Sequence, residues 1–259
     1  MAELEIAQTD TPGRFQFNWV PEVLFRPRRA FAKIKAQNHG VWLTPLLILT
    51  LMMVARVLAS GWVRQNFAMT GELPLPPDFQ YYSPEQQAQF MQAMQATQGP
   101  VFIYVFPLIS GVLGIWLGWL LVGGLLHLVT TMLGGRGDTM SAMNLVAWAS
   151  LPFAVREVVR VAALVISRQL IENPGLSGFT PIDPSGITAY LSAWLPLVDL
   201  YLIWHIILLV LGARAANSLT PGKAMSGVVL TMLVILGLQA LVSFLSTQLG
   251  SLTIIRPFF

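Results

Sequence analysis

Five stretches of the chain are apolar for far longer than a water-soluble fold requires: 41–62, 101–133, 142–170, 187–212 and 224–250. A helix that crosses the hydrocarbon core needs about 20 such residues. Each stretch is therefore read as a membrane-spanning helix. The second and third flank a short glycine-rich turn, Gly134-Gly135-Arg136-Gly137-Asp138, and so form a hairpin at the middle of the chain. Trp42 and Trp62 bracket the first span as interfacial anchors. Pro45 lies in its first turn, where proline is tolerated. Pro107 is expected to kink the second span or to mark its true start. Pro152 falls inside the third span. The pattern predicts an all-α, polytopic bundle of five transmembrane helices.

The polar positions organise the remainder. Residues 1–16 are polar and acidic, and read as a flexible tail with no signal-peptide pattern. Residues 17–40 are mixed. Pro27 can open a short helix whose face carries Ala30, Phe31 and Ile34, surrounded by Arg28, Arg29, Lys33 and Lys35. This segment reads as a basic amphipathic helix in the membrane interface, a candidate surface for anionic lipid or a partner. A solvated basic flank that only sets orientation is the other reading. Residues 63–100 form the longest polar segment. Pro74, Pro76 and Pro77 preclude a continuous helix there. Ser83-Pro84-Glu85-Gln86 then has the form of a capping box, so a short helix is expected over about 84–97. Residues 251–259 form a tail.

Five spans put the termini on opposite sides. Cations gather before residue 41, at Arg136, and from Arg214 to Lys223, all on one side. Glu72, Asp78, Glu85, Glu172 and Asp183 lie on the other, with few cations beyond Arg64 and Arg256. The positive-inside rule then sets the N-terminus in the cytoplasm and the C-terminus outside.

Composition sharpens this picture. Hydrophobic residues make up 55% of the chain and charged residues only 10%, where soluble domains carry about a quarter charged. There is no cysteine, which removes disulfides, thiol chemistry and Cys-based zinc sites. The glycine turn lacks the Lys-Ser/Thr ending of a phosphate loop. No nucleophile, base and orienting group come together in the pattern. His127 and His205 lack companion ligands at their depth and read as packing histidines. Asp138 alone is not a metal site. No catalytic residue, cofactor, metal or nucleic-acid partner is expected.

Charges within spans are costly and are usually paired inside the bundle. Arg56, Arg156, Glu157, Arg160 and Asp199 are the candidates. Counting along the helices places all five at mid-depth or in the outer half. Arg156 and Arg160 share a face, and Glu157 lies three residues before Arg160. The expectation is a buried network in which Asp199 and Glu157 neutralise two of the three arginines. It is either a structural ion-pair network or a polar site for a proton, ion or anionic lipid. In the second span Gly111, Gly114 and Gly118 share one face, a candidate helix-packing surface.

Several fragments, taken in order, carry a resemblance. They are Arg26-Pro27-Arg28-Arg29-Ala30-Phe31, then Trp42 and Pro45, then His127 before Gly134-Gly135. Ala149-Ser150-Leu151-Pro152 follows, with Asp199, Trp204, Gly212 and Lys223-Ala224 beyond it. Over about residues 21–249 the chain resembles the bacterial branch of the Yip-domain family, named for eukaryotic relatives that interact with Ypt/Rab GTPases. The resemblance implies a five-helix bundle of the bacterial cytoplasmic membrane and no enzymatic reaction. The segment before the first span lacks the Asp-Leu-Tyr-Gly-Pro motif of the eukaryotic members, so a GTPase partner is not expected. Some bacterial members are similar to accessory proteins beside ABC-type exporters. The resulting expectation is a non-enzymatic accessory or assembly protein that binds membrane lipids and another membrane protein, such as an ABC exporter component. A small-solute or lipid-handling carrier using the arginine/carboxylate cluster is the alternative. Oligomeric state is left open.

Overall fold

The structure is a computed structural model, and it describes residues 15–70, 79–97, 99–181 and 184–253. The tails at 1–14 and 254–259, the prolines at 74, 76 and 77, and Glu72, Asp78, Asp183 and Arg256 lie outside the described residues. Ten α-helices are seen among those described: α1 (Trp19–Phe25), α2 (Pro27–Lys35), α3 (Leu43–Thr70), α4 (Pro84–Thr97), α5 (Phe106–Met132), α6 (Thr139–Ala149), α7 (Leu151–Ser167), α8 (Ile187–Ser192), α9 (Leu200–Asn217) and α10 (Pro221–Thr253). The chain is a multi-pass, all-helical membrane bundle. Outward-facing positions along the long helices are largely apolar, including Leu51 and Leu58 of α3, Leu113 and Leu117 of α5, Ile203 and Ile207 of α9 and Leu230 and Leu233 of α10. Ionised side chains lie inside it. That inversion suits a hydrocarbon surround and would not suit water.

Four helical stretches are long and apolar enough to cross a membrane: Leu43–Asn66, Val101–Met132, Leu200–Asn217 and Pro221–Gln248. The other two predicted spans are interrupted. Residues 142–170, read as one span, form α6 and α7 with a break at Ser150. Pro152 lies in the first turn of α7, where its missing N–H removes no helical bond. The fourth span is also corrected. Residues 187–212 are not continuous: α8 and a 3₁₀ turn at Leu195–Leu197 precede α9. Asp199 ends the interruption as the extended N-cap of α9, with Oδ1 accepting from the Leu202 N–H at 2.8 Å. A short carboxylate satisfies the orphan donors of a helix start, which outweighs continuing the helix through Pro196. Pro107 acts on α5 from its first turn. Ahead of it Val101–Val105 widens into a π turn, and the Phe106 N–H reaches the Val101 carbonyl. The expected capping box is formed, with Gln86 N–H donating to Ser83 Oγ and Ser83 N–H to Gln86 Oε1.

One end of the bundle, here termed proximal, holds the 133–138 turn. Gly134, at φ +87, closes α5 by letting the next N–H groups turn back to Thr130 and Thr131. Asn217 pins this turn by accepting from Gly137 N–H, and Lys223 Nζ donates to the Leu133 carbonyl. Asp138 caps α6 by accepting from Ser141 N–H.

α1 and α2 are fastened to the same end. Ala30, Phe31 and Ile34 are buried in the main core with Val23, Leu145 and Ala213. This corrects the reading of that face as free to lie on a membrane surface. Gly212 of α9 is the physical reason: its bare backbone lets Leu145 and Phe31 approach, where a Cβ would collide with Leu145.

Candidate functional site

α3, α5, α10, α9 and α7 form a ring in which each helix packs on the next. α6 lies within the proximal end of that ring rather than in its wall. Residues Asn144 to Ala149 are all buried, and Trp148 is fully enclosed. α6 therefore acts as a plug. Its polar groups are tied to backbone: Asn144 Oδ1 accepts from Val41 N–H at 2.8 Å, Asn144 Nδ2 donates to the His39 carbonyl, and Trp148 Nε1 donates to the Val41 carbonyl. His205 is set by the plug's end, with Nδ1 2.8 Å from the Ala149 carbonyl and its ring on Phe153.

Above the plug the ring borders a half-open cavity of about 560 Å³. Val146 and Ser150 form its floor, and Pro174, Pro196 and Leu197 of the distal connection lie at its other end. Arg56 from α3 and Arg156, Glu157 and Arg160 from α7 line it. Glu157 is the hub. Its Oε2 is 2.6 Å from Arg56 Nε, and its Oε1 is 3.4 Å from Arg156 Nε and 3.2 Å from an Arg160 guanidinium nitrogen. Asp199 Oδ2 lies 3.2 Å from Arg156, whose guanidinium also covers the Phe153 ring. The structure thus brings all five of these residues together. Their sharing differs from the simple pairing expected, since one glutamate serves three arginines.

Asp199 stands at the distal end of α9, as its N-cap. α9 has 18 residues, about 27 Å at 1.5 Å per residue, so its N-cap lies near the distal edge of the hydrocarbon. Arg156 is at the same level. The cluster occupies the distal part of the bundle. Three arginines face two carboxylates, leaving one positive charge in excess. The carboxylates are the more buried members, with 10% and 12% of their side-chain surface exposed against 23%, 23% and 36% for the arginines. The arginines are thus the more exposed members of the cluster, and all three line the cavity beside Glu157.

The three glycines of α5 do not act as one packing face. Gly111 packs on Met53 of α3, but a Cβ at Gly114 or Gly118 would meet no atom within 4 Å. Both line the cavity. Sequence reasoning took the spacing as a close-approach motif; here the missing side chains leave space instead. Ser150, noted only within the Ala149–Pro152 fragment, and Trp119 were not expected to line a cavity, because a serine and a tryptophan in an apolar run carry no pattern that places them there.

Of the α2 cations, Arg28 and Lys35 are exposed. Arg29 and Lys33 flank Glu22 at 3.4 and 2.7 Å while keeping 67% and 43% of their side-chain surface open. Among the described residues no group of three His, Cys, Asp or Glu side chains gathers around a metal-sized site.

The sequence profile of the Yip1 domain matches residues 22–244, most of the chain. No curated protein and no solved structure matches it.

Proposed function

The chain belongs to the Yip1 domain family, a non-enzymatic family of membrane proteins, and from that premise we propose that it is an accessory or assembly protein of the bacterial cytoplasmic membrane. In this reading it holds another membrane protein, with an ABC-type exporter component as the partner class. The N-terminus and the α2 surface lie in the cytoplasm, which the cation asymmetry of the loops supports.

The observation that carries the reading is the mounting of α2. Its apolar face is locked in the core, while Arg28, Arg29, Lys33 and Lys35 remain outward. A charged surface held rigidly loses little freedom on docking, which favours a defined acidic partner. The carrier reading has less support. The polar interior is one-ended: below Ser150, Asn144, Trp148 and His205 all bond to backbone of the chain itself. A carrier needs a second polar path, and the plug occupies that position.

The test is copurification from native membranes in mild detergent, followed by reconstitution in nanodiscs. Replacing Arg28, Arg29, Lys33 and Lys35 together by glutamine is expected to reduce recovery of a specific membrane protein in both neutral and anionic lipid. Loss confined to anionic lipid makes the segment a membrane anchor. Absence of any specific partner with the unmodified chain ends the accessory reading. Single cysteines at Gln8 and Phe258 test sidedness: impermeant reagent on intact cells should modify the second and spare the first.

A further inference from the structure

The cavity is itself amphipathic along its length. α3 and α5 run antiparallel in a fixed register, with Gly111 on Met53 and Trp42 on Trp119. Arg56 therefore lies on the distal side of Gly111, and Gly114 and Gly118 lie successively deeper toward the plug. The charged cluster occupies the distal end of the cavity. The proximal end is walled by Leu46, Leu49, Ile115 and Val122.

We propose that this cavity binds a monoanionic, phosphate-headed lipid, its phosphate at the Arg56–Arg156–Arg160 cluster and an acyl chain along the bare backbone at Gly114 and Gly118. Three arguments converge. The cluster carries one uncompensated positive charge among partly buried groups, and a single phosphodiester restores neutrality there. Guanidinium groups match phosphate oxygens in geometry, and all three arginines line the space. The volume of about 560 Å³ lies within the range of ligand sites. It exceeds what a free anion needs, and its deeper half offers a free anion no polar group comparable to the arginines. Headgroup and chain thus each meet a matching wall. This site is independent of the α2 partner surface, so either can fail without the other.

The experiment uses the full chain, stripped of lipid in an uncharged detergent. It is titrated with phosphatidylglycerol, with phosphatidylcholine of the same chains, and with inorganic phosphate, and bound lipid is read by native mass spectrometry. The expected result is at least tenfold tighter binding of phosphatidylglycerol than phosphatidylcholine, with no displacement by millimolar phosphate. The double variant Gly114→Leu/Gly118→Leu fills open space and should retain the lipid-free melting temperature while losing about tenfold in phosphatidylglycerol affinity. Arg160→Gln removes the excess charge but leaves Glu157 paired with Arg56 and Arg156; it should abolish the preference between the two lipids. Equal binding of both lipids by the unmodified chain overturns the proposal, as does a preference that survives both variants. Displacement of phosphatidylglycerol by phosphate alone makes this a free-anion site and equally overturns it.

Discussion

In the proximal half of the bundle, Asn144, Trp148 and His205 each meet a backbone group of another segment. In the distal half a single glutamate is shared by three arginines beside an open cavity. Both halves contain buried polar side chains in an apolar surround. In the first, Asn144, Trp148 and His205 each have a backbone partner and the space around them is filled, with His127 Nδ1 the exception among the described residues. In the second, charge and volume are both left over. Matched polar groups fix how helices pack; an excess of charge facing free volume marks a place for something else. The comparison teaches that counting polar residues within spans does not separate the two uses, whereas stoichiometry and free volume do.

The largest expected effect comes from breaking the filled half. Trp148→Ala should destabilise the bundle by about 4 kcal/mol, through the void it leaves and the orphaned Val41 carbonyl. Thermal unfolding in detergent measures it. A loss below about 1 kcal/mol would mean α6 is not the plug described.

Removing the hub of the charged half should cost slightly less. Glu157→Gln leaves three arginines against one carboxylate and should destabilise by about 3 kcal/mol. Added phosphatidylglycerol should recover part of that loss, because an anion can take the place of the missing carboxylate. The same lipid should not rescue Trp148→Ala. Rescue of both or of neither would erase the distinction between the halves.

Asp199 separates charge from capping. Asp199→Asn keeps a side-chain oxygen for the Leu202 N–H but removes the charge beside Arg156. Asp199→Ala removes both and should cost about 1 kcal/mol more than Asp199→Asn. If the two variants melt together, the cap contributes nothing measurable. The smallest effect is expected at the periphery. Arg28→Gln and Lys35→Gln should each change stability by no more than about 0.5 kcal/mol, since both side chains are exposed.

Much of this was legible from residues alone, and the misses share a cause. The first, second and last spans were readable because hydrophobic length dominates them. The two interrupted passes were not, although the signals were present: Ser150 with Pro152, and Pro196 with Asp199, each combine a helix stop with a helix start. Inside a hydrophobic run those signals were passed over and the span was read as continuous, because length was given more weight than capping. The burial of Ala30, Phe31 and Ile34 was likewise out of reach, since it depends on Gly212, far along the chain. The five ionisable residues of the cluster were identifiable because charge is rare in spans. Their stoichiometry around Glu157 and the free space at Gly114 and Gly118 required coordinates.

The most direct test of a one-ended polar interior is the reactivity of single cysteines on either side of the floor. Ser150→Cys lines the cavity and Ala147→Cys lies within the plug, at 0% exposure. In the lipid-stripped chain, an anionic methanethiosulfonate should modify Ser150→Cys, and faster than its cationic counterpart, because the arginine cluster draws anions in. Ala147→Cys should remain unmodified by both. Modification of Ala147→Cys at a rate comparable to Ser150→Cys would contradict the account, since polar access would then continue through the plug.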